Sequence, residues 1–249
     1  MNANGILQTH ATDILAHARE AGVTTLRLLG GVAIRRLYPA AGELPGLRRD
    51  CKDIDFAVGR RDAKGLRQVF TAAGFEPDRP FNALHGVSRQ LYMAGGLQAD
   101  VFVGVFEQCH RLPLEARLGT LPETLSPADL VLMKLQVVQM NEKDLQDLCV
   151  LLLGADLGGI DGPEVIHADY IAGVTAEDWG WYTTCSDSLE KLEGYAQERL
   201  PGPEGAIVAA RVEELKRRME DRPKSLKWRM RSALGRRVQW YDLPEEARR

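Results

Sequence analysis

Apolar and polar residues alternate with two different periods in the first half of the chain. Helical spacing of apolar residues over 6–21, ended by Gly22, predicts an amphipathic helix. Short apolar runs at 23–29 and 54–58 predict buried strands, and helices are predicted at 32–38 and 62–73. Two apolar segments, 87–93 and 97–106, flank Gly95-Gly96 and predict a hairpin. This half of the chain therefore predicts a mixed sheet flanked by helices.

From Ser126 onward the pattern is helical. Ser126-Pro127-Ala128-Asp129 has a capping Ser, Pro at the first helical position and an acid three residues after the cap, which predicts a helix to about residue 140. Further helices are predicted at 142–153, 176–200, 204–220 and 223–237, and loops at 39–47 and 75–82.

A Gly-rich stretch at 158–163 predicts the domain boundary. The expected fold class is α+β. We expect a small mixed β-sheet domain over residues 1–157, followed by a mainly helical C-terminal domain with a basic tail over residues 158–249.

Composition and charge exclude some classes of protein. Hydrophobic residues make up 45% of the chain and charged residues 27%, which is typical of globular proteins. Four dispersed cysteines argue against a zinc knuckle and favour a reducing compartment. The absence of a signal-peptide pattern and of a long apolar run predicts a cytoplasmic protein with no membrane partner.

Charge is distributed unevenly along the chain. From Arg211 to the end there are 13 Lys and Arg against 7 Asp and Glu, whereas the whole chain has a net charge of −3. Residues 222–237 hold seven basic residues and no acid, with Trp228 and Trp240 nearby. Such a segment either binds RNA phosphates or docks on the acidic remainder of the chain, and the charge balance favours docking.

Carboxylates on two predicted strands are the first candidate metal-binding residues. Asp53 and Asp55 lie two apart, so on a strand they emerge from the same face, where they repel each other unless a cation lies between them. Asp100 interrupts the later apolar strand. Carboxylates suit Mg²⁺, and three of them can hold two ions that clamp the attacking and leaving oxygens of a displacement.

Glycine and lysine residues complete the candidate site. Gly30 and Gly31 lie at a strand-to-helix turn, where the backbone can approach a triphosphate. Lys134 is a candidate phosphate contact on a later helix, and Lys143 is a weaker one. For Lys134, an equally good interpretation is a side chain that covers apolar core surface.

The order of these features resembles the nucleotidyltransferase fold of the DNA polymerase β superfamily. Over residues 23–153, the chain is most similar to two branches: the abortive-infection nucleotidyltransferases of bacterial type IV toxin–antitoxin systems, and the aminoglycoside nucleotidyltransferase-like group. Three stretches carry the resemblance: Leu29-Gly30-Gly31-Val32-Ala33-Ile34, Arg49-Asp50-Cys51-Lys52-Asp53-Ile54-Asp55-Phe56, and Lys143-Asp144-Leu145-Gln146-Asp147-Leu148.

The resemblance implies Mg²⁺-dependent transfer of a nucleoside monophosphate from an NTP, such as ATP, to a hydroxyl. It implies that Asp53, Asp55 and Asp100 bind two Mg²⁺ ions and that Asp100 helps to deprotonate the acceptor. Gly30 and Gly31 would hold the triphosphate. The chain departs from the family in a longer spacer between Gly31 and Asp53.

Three functions stay open at this stage. The first is an enzyme that modifies a tRNA end, a protein hydroxyl or a small molecule. The second is a non-catalytic nucleotide-binding module that acts with a partner such as a cognate antitoxin. The third is a modifier of the aminoglycoside type. Its polycationic acceptor would bind in a cleft formed by the acidic remainder of the chain.

Overall fold

A computed structural model describes residues 3–243, and the chain divides into two compact units. The first unit comprises residues up to 39 together with 49–106 and 112–126. The second comprises 40–48, 107–111 and the chain from 127 onward. The last six residues of the predicted C-terminal domain, 244–249, lie outside the described part of the chain.

Eleven α-helices are present in the described residues. They are α1 (Ala3–Glu20), α2 (Gly30–Leu37), α3 (Pro39–Gly42), α4 (Leu66–Ala72), α5 (Arg79–His85), α6 (Pro127–Leu135), α7 (Glu142–Gly154), α8 (Ala168–Glu177), α9 (Trp179–Arg199), α10 (Pro203–Asp221) and α11 (Leu226–Ser232). The strands are β1 (Arg27–Leu29), β2 (Asp53–Val58), β3 (Glu76–Pro77), β4 (Arg89–Ala94), β5 (Leu97–Val103), β6 (Val105–Glu107), β7 (Arg111–Pro113), β8 (Asp156–Gly158) and β9 (Val165–His167).

A five-stranded mixed sheet forms the centre of the first unit. Its strand order is β1-β2-β5-β4-β3, with β2 and β5 parallel and the other pairs antiparallel. The α+β fold class is therefore confirmed. The predicted hairpin is confirmed as β4 and β5, and both Gly95 and Gly96 have positive φ values, 51° and 88°. Only glycine adopts such angles at little cost, which explains the tight turn.

One face of this sheet carries the core of the first unit. Phe56 on β2 and Tyr92 on β4 are buried there beneath Phe70 of α4. Phe70 stacks on Tyr92 with the ring centroids 4.1 Å apart, and it meets Phe56 edge-on at 5.8 Å. Because side chains alternate along a strand, the odd-numbered residues of β2 point to the opposite face. That opposite face carries the candidate carboxylates.

The second unit is mainly helical. Its long helix α10 packs on α7, α8 and α9, and α6 packs on α7, α8 and α9. Strands β8 and β9 form a short parallel pair. The longest continuous segment of this unit begins at Pro127. The domain boundary predicted from the sequence lies later in the chain, near residue 158. Helices α6 and α7 group with the later helices because both pack on α9, and α7 also packs on α10.

Some predicted elements were wrong. The predicted loop 75–82 contains β3 and the start of α5, and the predicted loop 39–47 contains α3. The helix from Ser126 ends at Leu135, not near residue 140. The segment 176–200 is divided between α8 and α9, because the Asp178 side chain accepts hydrogen bonds from the N–H groups of Gly180 and Trp181 and starts a new helix.

A further difference concerns the basic segment 223–237, where α11 covers only part of the predicted helix and Gly235–Arg237 is a single 3₁₀ turn. Among residues 3–243, no helix combines the length and the apolar character needed to cross a bilayer.

Candidate active site

The three candidate carboxylates lie on one face of the sheet in the first unit. Asp55 on β2 is the direct register partner of Asp100 on the parallel strand β5. Register partners on adjacent strands point to the same face, and Asp53 shares that face because it lies two residues before Asp55. We call this the carboxylate face. It is defined by Asp53, Asp55 and Asp100.

The three carboxylates differ in their exposure to solvent. Asp53 is exposed, Asp55 is half-buried, and the Asp100 side chain is only 4% exposed. A buried carboxylate loses most of its hydration and needs a cation or several hydrogen bonds in exchange. Asp100 therefore requires a partner, and the neighbouring strand β4 supplies one.

Arg89 of β4 pairs with Asp100. Its Nε donates to Asp100 Oδ1 at 2.8 Å and to Oδ2 at 3.1 Å, and its Nη2 also donates to Oδ2. The guanidinium lies 5.8 Å from the ring centroid of Phe81 and 5.1 Å from that of Phe102. Two aromatic rings and a charged pair thus hold Arg89 in place.

Arg89 also responds to the charge of Asp55. The hydrogen bonds that Arg89 donates to Asp100 raise the pKa of Arg89 above its ordinary value. Burial opposes this shift, and the charges of Asp100 and Asp55 add to it. The guanidinium is therefore a permanent positive charge at the carboxylate face. Sequence reasoning missed it, although counting outward from Gly95-Gly96 places Arg89 opposite Phe102 and diagonal to Asp100.

Gly30 lies directly against Asp55. Leu29, the last residue of β1, is the register partner of Asp55, and α2 begins at the next residue. Gly30 has a φ of 70°, which favours glycine, and a methyl group at this position would overlap the Asp55 carboxylate. Gly30 therefore lies beside Asp55 even though the spacer between Gly31 and Asp53 is long.

The segment before β2 is fixed beside the same turn. A methyl group on Gly31 would lie 2.9 Å from Cys51 Sγ and would also crowd the Arg49 guanidinium. Asn4 of α1 donates to the Arg49 carbonyl at 2.9 Å and accepts from the Cys51 N–H at 2.8 Å. Asn4 thereby holds the segment that leads from the inserted loop into β2.

Lys134 and Lys143 belong to the second unit. The Lys134 Nζ lies 2.9 Å from Asp144 Oδ1 and 3.0 Å from Asp147 Oδ2. Burial alone would lower the pKa of Lys134, but the charges of Asp147 and Asp144 outweigh it and keep the pKa above its ordinary value. Lys143 is exposed on the first turn of α7.

The ion pairs of Lys134 indicate a structural role for this lysine. The Lys134 side chain is 17% exposed, and that of Asp147 is fully buried. Asp144 and Asp147 of α7 are thus both paired with Lys134 of α6. The phosphate-binding roles of Lys134 and Lys143 stay predictions.

Within the described residues, no group of three or more His, Cys, Asp or Glu side chains is arranged to hold a metal ion. The pairing of Asp100 with Arg89 accounts for this at the carboxylate face, because the guanidinium approaches both oxygens of that carboxylate. Asp53 and Asp55 retain the donor chemistry that suits a divalent cation.

Comparisons of the chain with protein-family models, with curated proteins and with solved structures gave no significant match. The geometry of the carboxylate face is therefore the basis for a functional assignment.

Gly30→Ala tests the contact between the glycine turn and Asp55, and Gly22→Ala is the matched control. Gly22 has a φ of 74° but no atom within 4 Å of an added methyl group. Both variants should lose about 1–2 kcal/mol of stability from backbone strain. Only Gly30→Ala should also displace Asp55. If the nucleotide expected from the sequence binds at this turn, Gly30→Ala should also weaken binding of a fluorescent ATP analogue with Mg²⁺, and equal affinity in the two variants would contradict a nucleotide site there.

Lys134→Met tests whether this lysine is structural. It leaves Asp144 and Asp147 buried without their cation, so the free energy of unfolding should fall by about 3–5 kcal/mol. Lys143→Met, the exposed control, should change it by less than about 0.5 kcal/mol. Urea unfolding followed by circular dichroism measures both. Undiminished stability of Lys134→Met would contradict the structural role.

Proposed function

We propose that the chain is a metal-dependent nucleotidyltransferase, which moves a nucleoside monophosphate from an NTP to a hydroxyl group. The first unit would be the nucleotidyltransferase domain, and the helical second unit would be the C-terminal domain. The observation that carries the proposal is the meeting of Gly30, at the start of α2, with the carboxylate face.

The start of α2 fits an anionic ligand. The helix begins at Gly30, and Leu29 contributes no side-chain cap there. The N–H groups at a helix N-terminus favour an anion such as a phosphate. Gly30 and Gly31 lack side chains that would keep a phosphate from the backbone. A triphosphate bound here would lie beside Asp55.

The carboxylates fit a divalent cation beside this triphosphate. Asp53 and Asp55 would hold it, and Mg²⁺ would supply positive charge that stabilises the negative charge developing during transfer. Asp53 is exposed and can meet an ion that arrives with the nucleotide. Asp55 lies against Gly30, at the start of α2.

The transfer itself is a displacement at phosphorus. The oxygen of the acceptor hydroxyl forms a bond to the α-phosphorus, and the bond from that phosphorus to the oxygen bridging to the β-phosphate breaks. Pyrophosphate leaves, and the proton of the acceptor passes to a carboxylate of the face or to water. The chain contributes orientation and charge, which supply most of the catalysis in phosphoryl transfer.

A second candidate function is a non-catalytic nucleotide-binding module. The pairing of Asp100 with Arg89 favours it, because it occupies the carboxylate that was expected to deprotonate the acceptor. This alternative predicts Mg²⁺-dependent binding of NTP with no transfer to any component of a cell extract. A protein partner such as an antitoxin would then carry the function.

The acceptor stays open among tRNA, protein and small molecules. Within the second unit, much of the basic segment is already paired. Arg236 binds Asp187 at 2.6 Å and 2.9 Å, Lys227 lies 3.3 Å from Asp178, and Arg231 donates to the carbonyls of Gly235 and Val238. These contacts support docking of the segment and weaken the argument for RNA from its charge.

Asp53→Asn tests the proposed activity, with Asp50→Asn as the control. Both acids are exposed, but only Asp53 lies on the carboxylate face. Transfer of labelled NMP to an acceptor in cell extract should fall at least about 100-fold in Asp53→Asn, since even residues that merely support a metal ligand cost 10–100-fold when changed. Asp50→Asn should leave it intact. Undiminished transfer by Asp53→Asn would refute the mechanism.

A further inference from the structure

We propose that a basic pocket in the first unit binds a small organic diphosphate. The pocket has a volume of about 540 Å³ and lies between the start of α4, the helix α5 and the strand β4. This volume is typical of small-molecule sites. Lys64, Arg67 and Arg79 line the pocket, and no Asp or Glu is among the described residues that line it. The pocket would bind its ligand whether or not the carboxylate face transfers nucleotides.

The basic pocket and the carboxylate face lie on opposite faces of the sheet. Gln90 and Tyr92 of β4 line the pocket. They alternate along the strand with Leu91, which is the register partner of Asp100. Because successive residues of a strand point to opposite faces, the pocket is a site separate from the carboxylates.

The fold directs the acids of this part of the chain away from the pocket. Residues 62–79 contain three acids and three bases, and only the bases line the pocket. Asp62 accepts hydrogen bonds from two threonines just before β1, and Asp78 accepts one from an N–H group in the first turn of α5. Glu76 precedes Pro77 on β3, and because Pro77 lines the pocket, Glu76 points to the opposite face.

None of the three cations of the pocket pairs with a carboxylate in the described part of the chain. Other cations of the first unit do, since Arg36 binds Glu123 and Arg89 binds Asp100. Positive charges gathered around one cavity repel one another, and an anion between them relieves the repulsion. Their three charges complement the roughly three negative charges that a diphosphate ester carries at neutral pH.

Hydrogen bonds hold the floor of the pocket in place. Gln90 Nε2 donates to the Ala63 carbonyl at 3.4 Å and to the Gly86 carbonyl at 3.1 Å. Asn82 of α5 binds both backbone groups of Leu91 on β4, at 3.0 Å and 2.7 Å. These bonds connect the three elements around the cavity, so the pocket is formed before a ligand binds, which lowers the entropic cost of binding.

The phenol on the floor carries no charge. Tyr92 donates its hydroxyl proton to Gln90 Oε1 at 2.7 Å. Burial raises the pKa of Tyr92 to about 12, and the positive charge of Arg67 opposes this shift. The floor therefore adds no negative charge that would repel a phosphate, and Arg67 lies close enough for its charge to act there.

Apolar residues at the pocket fit the organic part of the ligand. Ala63, Pro77, Ala83 and Val87 are among the lining residues, and Val87 is 91% exposed. An apolar side chain with this exposure gains free energy when a ligand covers it. We therefore expect a sugar or a ring on the diphosphate, rather than an inorganic ion alone.

Calorimetric titration of the full chain with ADP tests the proposal. EDTA is present, because ADP at the carboxylate face would require a divalent cation. Arg67→Gln and Arg79→Gln should each weaken ADP binding about 10-fold, since each removes a charge-assisted hydrogen bond to phosphate. All substituted side chains are exposed, and circular dichroism checks that the variants fold.

Arg61→Gln is the matched control. Arg61 is exposed in the same unit but does not line the pocket. The substitution removes the same net charge, and at physiological ionic strength it should change the affinity for ADP by less than about 2-fold.

Inorganic pyrophosphate separates the phosphate contacts from the organic ones. It should bind more weakly than ADP and should show the same dependence on Arg67 and Arg79. Val87→Ser should weaken the binding of ADP and leave that of pyrophosphate unchanged.

Three results would overturn the proposal. Absence of ADP binding, or equal affinities in Arg67→Gln, Arg79→Gln and Arg61→Gln, would show that the pocket binds no diphosphate. Pyrophosphate that binds as tightly as ADP would show that no organic group is recognised. A short single-stranded RNA that binds more tightly than ADP, and loses affinity in the Arg67 and Arg79 variants, would assign these cations to a nucleic-acid backbone instead.

Discussion

A carboxylate buried in a β-sheet has to be paired with a cation, and Asp100 meets this requirement through Arg89 of the adjacent strand. The same sheet places Asp55 in register with Asp100 and sets Gly30 against Asp55. The parallel pairing of β2 with β5 and the antiparallel pairing of β4 with β5 thus decide which charges meet. The proposed nucleotide site depends on this arrangement of strands more than on any single residue.

The features that follow from local rules could be predicted from the sequence. Gly95-Gly96 between two apolar segments gave the β4–β5 hairpin, and the spacing of Asp53 and Asp55 placed them on one face. The start of α5 had a local signal that was overlooked, because Asp78 caps the helix and Pro80 lies in its first turn. These features depend on residues that are close together in the chain.

The features that depend on register between distant segments could not be predicted with the same rules. Arg89 and Asp100 meet because of the register of the hairpin, which fixes diagonal neighbours as well as direct ones. Lys134 meets Asp144 and Asp147 because α6 and α7 pack on each other. A lone Lys in an apolar helix therefore suggested a phosphate contact, whereas its two carboxylate partners became visible only in the structure.

The most direct test of the account is a crystal structure of the full chain with Mn²⁺ and a non-hydrolysable ATP analogue. The account predicts anomalous density for Mn²⁺ between Asp53 and Asp55, with the triphosphate against the N–H groups at Gly30 and Gly31 and with Arg89 still on Asp100. Nucleotide bound elsewhere, or no Mn²⁺ at Asp53 and Asp55, would contradict it.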